Sequence, residues 1–158
     1  MTLHRPYNVD SKNQLTRLIN VIEQNTHQFP VTFPVHSRTR VSLESFGIQV
    51  NIIKLVDPMG CHEFNFLVKH AKAVITDSGG ITEETTVMRV PCMTLRNTTE
   101  RPETCTIGTN ELIGTKPEDL EAALKNLFAG NWKKGFIPPL WDGKTATRIV
   151  DRLLEIKY

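Results

Sequence analysis

Asp77-Ser78-Gly79-Gly80 is the stretch whose residue types and spacing most directly suggest chemistry. It follows the β-branched run Ala73-Val74-Ile75-Thr76 and opens a segment of helical spacing, so unpaired backbone N–H groups and the positive end of a helix dipole would converge there. Two glycines let an anion approach the backbone and Ser78 adds a hydroxyl, the means by which phosphates are held at helix N-termini. The same residues also read as a turn closed by an ordinary serine N-cap. Glu83 and Glu84 are expected in the first turn of that helix, where a carboxylate favours the dipole whether or not it binds anything. Close to a phosphate, a carboxylate can instead accept both hydroxyls of a ribose.

A second polar stretch, Arg96-Asn97-Thr98-Thr99-Glu100-Arg101-Pro102-Glu103, puts two guanidinium groups into the loop after the next strand. Arginine matches phosphate oxygens bidentately and keeps its charge at any working pH. The competing reading is a surface ion pair with Glu100 or Glu103 and no functional role. His4-Arg5 and Pro34-Val35-His36 add two imidazoles and a guanidinium at the ends of two earlier strands. Either histidine could transfer a proton or bind a phosphate oxygen, or serve structure alone. Phe64 reads as core, and Trp132 and Trp141 are too isolated to form a stacking platform.

The elements that must position these residues alternate along the chain. Thr2-Leu3-His4 reads as a strand end, with the expectation that the chain is cut from something longer. Ser11 with Gln14 predicts a capped helix carrying Leu15, Leu18, Ile19 and Ile22 on one face. Strands are predicted at residues 31–33, 52–55, 73–76, 92–95 and 111–113, and helices around residues 41–46, 64–71 and 81–88, with residues 96–103 as a polar loop. Thr115 and Pro117 start a helix with Leu120, Ala123, Leu124 and Leu127 on one face. A final helix carries Ala146, Ile149, Val150, Leu153 and Leu154, and residues 135–143 read as the only linker-like segment. This alternation implies right-handed βαβ crossovers: an α/β fold with a doubly wound parallel sheet, helices on both faces, and ligands at the carboxyl ends of the strands.

With 158 residues, 39% of them apolar, the chain is expected to form a single domain with a real core. A net charge of +2 supplies no field that would argue for nucleic acid or a membrane surface. No apolar run approaches the ~18 residues of a membrane span, and no signal-peptide core follows Met1. Cys61, Cys92 and Cys105 are odd in number and lack metal-site spacing, which predicts free thiols, a cytoplasmic setting and no bound metal.

Leu3-His4-Arg5-Pro6 with Asn8-Val9-Asp10, then Pro34-Val35-His36, Thr76-Asp77-Ser78-Gly79-Gly80-Ile81 with Glu83-Glu84, and the stretch from Arg96 to Glu103 resemble the UDP-N-acetylglucosamine 2-epimerase family. Gly108-Thr109-Asn110, Gly114-Thr115 and Asp142-Gly143-Lys144 extend the resemblance over nearly the whole chain, but only to the second half of that family. It implies a Rossmann-like domain, the C-terminal half of a glycosyltransferase-B-like two-domain enzyme that interconverts UDP-GlcNAc and UDP-ManNAc by eliminating and re-adding UDP. The catalytic carboxylates would lie in the first half, no metal or NAD would be needed, and the full enzyme would be a homodimer.

Carried over by the resemblance, Ser78, Gly79 and Gly80 would hold the diphosphate, Glu84 the ribose and Arg101 a phosphate. His4 would face the diphosphate and the reacting sugar, Arg5 and His36 would complete the substrate wall, and Phe64 would line the uracil pocket. His4 and Arg101 are the two residues expected to act in catalysis. Met59 and Cys61 depart from the polar or aromatic residues expected around the uracil loop, and Thr85 stands where alanine is common. Two rival readings share the fold: a nucleotide-sugar glycosyltransferase, against which Thr99-Glu100-Arg101-Pro102 argues, and a non-catalytic nucleotide-binding or assembly module.

Overall fold

Every residue of β3 (Val74–Thr76) and β4 (Cys92–Thr94) is buried in the computed structural model, which describes residues 1–156. These runs need cover on both faces, and they obtain it as the middle of a parallel sheet. β4 lies between β3 and β5 (Asn110–Leu112), and β1 (Thr32–Pro34) pairs in parallel with β2 (Lys54–Val56). The first residues join the two groups of strands. Thr2 forms a parallel bridge to Thr76, while the Met1 amino group donates to the Thr32 carbonyl at 2.7 Å.

Eight helices are described: α1 (Pro6–Val9), α2 (Lys12–Asn25), α3 (Ser37–Phe46), α4 (Cys61–Lys69), α5 (Gly79–Met88), α6 (Pro102–Thr106), α7 (Pro117–Phe128) and α8 (Thr145–Glu155). Leu15, Leu18, Ile19 and Ile22 of α2 and Leu120, Leu124 and Leu127 of α7 pack with Leu3, Phe33, Ile75, Met93 and Leu95 in the main core. Each such side chain, taken out of water, stabilises the fold by roughly 1.5–3 kcal/mol. A second cluster joins Val68, Val74, Val90 and Cys92 to Phe64, Ile81 and Met88, so α4 and α5 enter a separate apolar layer. Burial pushes the Cys92 thiol up to about 11.

Several boundaries differ from the sequence expectation, each for a local reason. The strand expected at 52–55 starts at Lys54, because Glu23 Oε1 accepts the N–H groups of Asn51 and Ile52 at 2.7 Å and of Ile53 at 3.4 Å. Burial raises the Glu23 pKa, but these backbone donors bring it below its ordinary value. The helix expected at 41–46 begins at Ser37, since His36 caps it by accepting the Arg38 N–H on Nδ1 at 3.2 Å. The polar loop expected at 96–103 gives way to α6 at Pro102, and neither α6 nor α1 was foreseen; each has a proline in its first turn, where no backbone donor is lost. The last predicted strand is shifted by one residue, to Asn110–Leu112. The final helix forms as expected, but none of its residues is buried.

Candidate functional site

Asp77 follows β3 at the carboxyl end of the sheet and is completely buried. A carboxylate taken out of water costs several kcal/mol unless it is paired and hydrogen-bonded. Here it accepts the N–H of His4 (3.0 Å at the closer oxygen), the N–H of Arg5 (2.9 Å) and the side-chain amide of Asn8 (3.1 Å). His4 Nδ1 lies 2.8 Å from its other oxygen. That contact orients the imidazole and leaves Nε2 for the cleft.

The cleft measures about 330 Å³ and is lined by His4, His36, Met59, Phe64, Ser78 and Glu84, among others. The two imidazole rings stand 5.7 Å apart. His36 is held by its capping bond to α3, whereas Phe64 both faces the cleft and packs on the second apolar cluster, so its two sequence readings are compatible. Five of the predicted substrate-binding residues therefore meet in one concavity at the strand ends.

The glycine turn lies beside it. Ser78 occupies the N-cap position of α5, yet its side chain makes no capping bond; its own N–H donates instead to Thr76 Oγ1 at 3.0 Å. The ordinary N-cap reading therefore fails, and the first-turn amides are not satisfied by that hydroxyl. A side chain at Gly79 would meet Arg96 Nη1 at 3.4 Å and Glu100 Oε2 at 3.5 Å, whereas Gly80 faces open space. Arg96 grips Glu100 at 2.7 and 3.0 Å, which with a backbone bond holds that carboxyl down to about 2. Arg5 Nε, by contrast, is buried without a hydrogen-bond partner among the described residues.

Two expectations need correction. Because α5 starts at Gly79, Glu83 and Glu84 lie beyond its first turn, and no acidic residue occupies that turn. The dipole therefore gives no account of Glu84, whose pKa is raised by burial and then by the Glu83 charge. Arg101 does form a surface ion pair, but its partner is Glu83, at 2.6 Å, not Glu100 or Glu103. It is absent from the residues that line the cleft.

Asp77 and Asn8 organise the site, although sequence reasoning assigned neither a role. A usable signal existed: a charged residue directly after a wholly buried strand must find several donors. Among the described residues no group of three or more His, Cys, Asp or Glu side chains is gathered to hold a metal, and no helix is long and apolar enough to cross a membrane.

Parallel strands with a cleft at their carboxyl ends make an α/β domain, and its likeness to solved structures places it in the glycosyltransferase-B-like class, of whose chains it covers somewhat less than half. Residues 1–154 match the family model described as UDP-N-acetylglucosamine 2-epimerase, and the chain belongs to that family. It is 38% identical to the UDP-N-acetylglucosamine 2-epimerase of Methanocaldococcus jannaschii, with 100% of this chain and 44% of the relative covered. The crystal structure of that archaeal enzyme in complex with UDP-GlcNAc and UDP superposes with a TM-score of 0.81 over 97% of this chain and 44% of the other. The UDP-2,3-diacetamido-2,3-dideoxy-D-glucuronate 2-epimerase of Pseudomonas aeruginosa is 36% identical over 72% of this chain and 32% of its own length. The chain thus spans less than half the length of these curated relatives.

Proposed function

We propose that this chain is the UDP-holding half of a UDP-N-acetylglucosamine 2-epimerase, an isomerase that interconverts UDP-GlcNAc and UDP-ManNAc. The observation that carries the reading is the cleft in which His4, His36, Phe64, Ser78 and Glu84 meet beside the open N-terminus of α5. The similarity to relatives supports the UDP handle most strongly: their names differ in the sugar but share UDP and 2-epimerisation. The family match favours epimerisation over sugar transfer to an acceptor.

In this reading the Gly79 and Gly80 amides and the Ser78 hydroxyl hold the diphosphate, and Glu84 accepts the ribose hydroxyls. Phe64, with Met59, forms the uracil wall. Arg5, whose Nε has no partner among the described residues, is better placed than Arg101 to gain a phosphate; Arg101 would have to give up part of its contact with Glu83. His4, held by Asp77, presents Nε2 to the diphosphate and the reacting sugar, and His36, its ring 5.7 Å away, lines the same cleft.

The chemistry is an elimination followed by an addition. A base removes the C2 proton, the C1–O bond breaks with its electron pair leaving on UDP, and a C1=C2 double bond forms in a 2-acetamidoglucal. UDP oxygen then returns to C1 and a proton to the other face of C2. Both steps are redox-neutral and close without metal or nicotinamide. Charge grows on the departing diphosphate, so helix amides and a guanidinium aimed there lower the barrier. The base comes from the other half of the enzyme, which acts in the cytoplasm as a homodimer.

Calorimetry with UDP, UMP and ADP tests the assignment. UDP should bind most tightly, and Arg5→Ala should weaken UDP by about tenfold while affecting UMP less, as loss of one charge-assisted bond predicts. Arg101→Ala should weaken UDP only if that residue leaves Glu83, and Arg101→Lys should then fail to restore the lost affinity. Absence of binding by all three nucleotides would overturn the assignment.

A further inference from the structure

The contact between His4 and Asp77 fixes which nitrogen of the imidazole carries a proton. Asp77 Oδ2 accepts three donors, the N–H groups of His4 and Arg5 at 3.0 and 2.9 Å and the Asn8 amide at 3.1 Å. Its Oδ1 lies 2.8 Å from His4 Nδ1 and takes only a longer share of the His4 N–H, at 3.2 Å. Imidazole is a stronger base than a carboxylate, so a proton shared between the two belongs to Nδ1. A neutral ring with Nδ1–H bears a lone pair on Nε2, the nitrogen left for the cleft.

A lone pair repels a phosphate oxygen. Nε2 can grip an anionic diphosphate only after taking up a proton, because both ring nitrogens are donors in the imidazolium and only there. The completely buried Asp77 then serves as a fixed counter-ion on the far side of the ring. The other charged or titratable groups on the elements around it are few. They are His36 beyond β1, 5.7 Å away, Glu84 on α5, and Arg5 and Tyr7 in and beside α1. α4 presents only Phe64 to the cleft, and α3 reaches this strand end through a neutral hydroxyl, Thr39 on the Leu3 carbonyl.

We propose that Asp77 is a positioning residue that makes nucleotide binding carry a proton: by holding Nδ1–H, it lets His4 Nε2 bind the diphosphate only as an imidazolium. The proposal rests on the UDP reading and adds to it a linkage between ligand and proton. In the reaction, the same held charge opposes the one that grows on the departing UDP.

Calorimetry of UDP binding to the 158-residue protein between pH 7 and 9, in two buffers of different ionisation enthalpy, provides the test. Uptake of up to one proton should accompany binding. Affinity should fall as pH rises, by up to about tenfold per pH unit once the free ring has lost its proton. His4→Gln, whose amide donates at any pH, should bind without uptake and with a flat profile. Asp77→Asn separates the tautomer from the structure: its carbonyl oxygen keeps the three donors of Oδ2, while its amide N–H turns to His4 Nδ1 and moves the ring proton to Nε2. That variant should show Nε2–H in long-range proton–nitrogen spectra, where the free parent shows Nδ1–H, and should bind UDP with no uptake. If it fails to fold, the parent and His4→Gln still decide. UDP binding to the parent with no proton taken up would overturn the proposal and leave the nucleotide reading standing. Uptake that survives in His4→Gln, which assigns the proton to His36 or Glu84, would do the same, as would Nε2–H in the free parent. Absence of UDP binding would overturn the nucleotide reading, and the proposal with it.

Discussion

The Glu84 carboxyl stands on the wall of the cleft, and burial together with the neighbouring Glu83 charge holds its pKa above the ordinary carboxylate value. A raised pKa means that the folded chain binds the proton more tightly than the unfolded chain, so ionising Glu84 destabilises the fold. The penalty is absent below the unfolded glutamate value, about 4.3, and fully present above the raised folded value. Glu84→Gln should therefore melt at a higher temperature than the parent at pH 7, with the difference closing as pH falls below 4. Under the ribose assignment the same substitution weakens UDP and UMP alike. Thermal melts across pH, paired with calorimetry, test both limbs: a variant less stable than the parent at neutral pH contradicts the electrostatic account, and intact UMP affinity contradicts the ribose role.

Among the elements, the segment between α7 and α8 departs most from its sequence reading. Residues 135–143 look like a linker, yet the chain is tied down on entering them. Trp132 Nε1 donates to Thr109 O at 2.9 Å, Lys133 Nζ to Cys105 O at 2.5 Å, and the Phe136 N–H to Ile107 O at 2.8 Å. Gly135 permits the approach: a side chain there would lie 2.3 Å from the Gly108 carbonyl carbon, and one at Gly108 would lie 2.6 Å from Thr104 O. Backbone on both sides leaves no flexible atom to yield. Gly135→Ala should cost roughly 1–3 kcal/mol of stability by overpacking and should release the Trp132 indole to water. Urea unfolding together with Trp132 emission, in a Trp141→Phe background, gives the check. Unaltered stability and emission would mean that the segment yields without loosening the turn before β5.

For the molecule as a whole, the proposed scheme divides the reaction between this chain and a second half. In that scheme this chain supplies the donors for the leaving diphosphate and contains no base for C2, and it covers 44% of its archaeal relative. Incubating the 158-residue protein with UDP-GlcNAc in D2O should yield neither UDP-ManNAc nor deuterium at C2. Adding a first-half domain should restore both. Deuterium incorporation by this chain alone would place the base among its own residues, with His4 first to be tested by substitution. Binding without turnover in the presence of the first half would favour an assembly or nucleotide-sensing role.

The sequence by itself determined the fold class and the rim on which the site lies. Short buried runs alternating with one-faced helices point to a parallel sheet covered on both sides, and the 3.6-residue spacing of α2 and α7 is legible in the types of Leu15, Leu18, Leu120 and Leu124 alone. Through the family resemblance it also grouped His4, His36, Phe64, Ser78 and Glu84, five residues that the structure brings to one cleft. Only the tertiary structure decided how Asp77 fastens the first turn to β3, that Arg101 faces Glu83, and that Glu23 cuts β2 short. It likewise decided that the apolar face of α8, regular in sequence, is uncovered in this chain. The reason is common to all four: periodicity records which faces want burial, whereas the partner of a charged side chain, or the cover of an apolar face, depends on residues distant along the chain, and only the packed fold shows which of them meet.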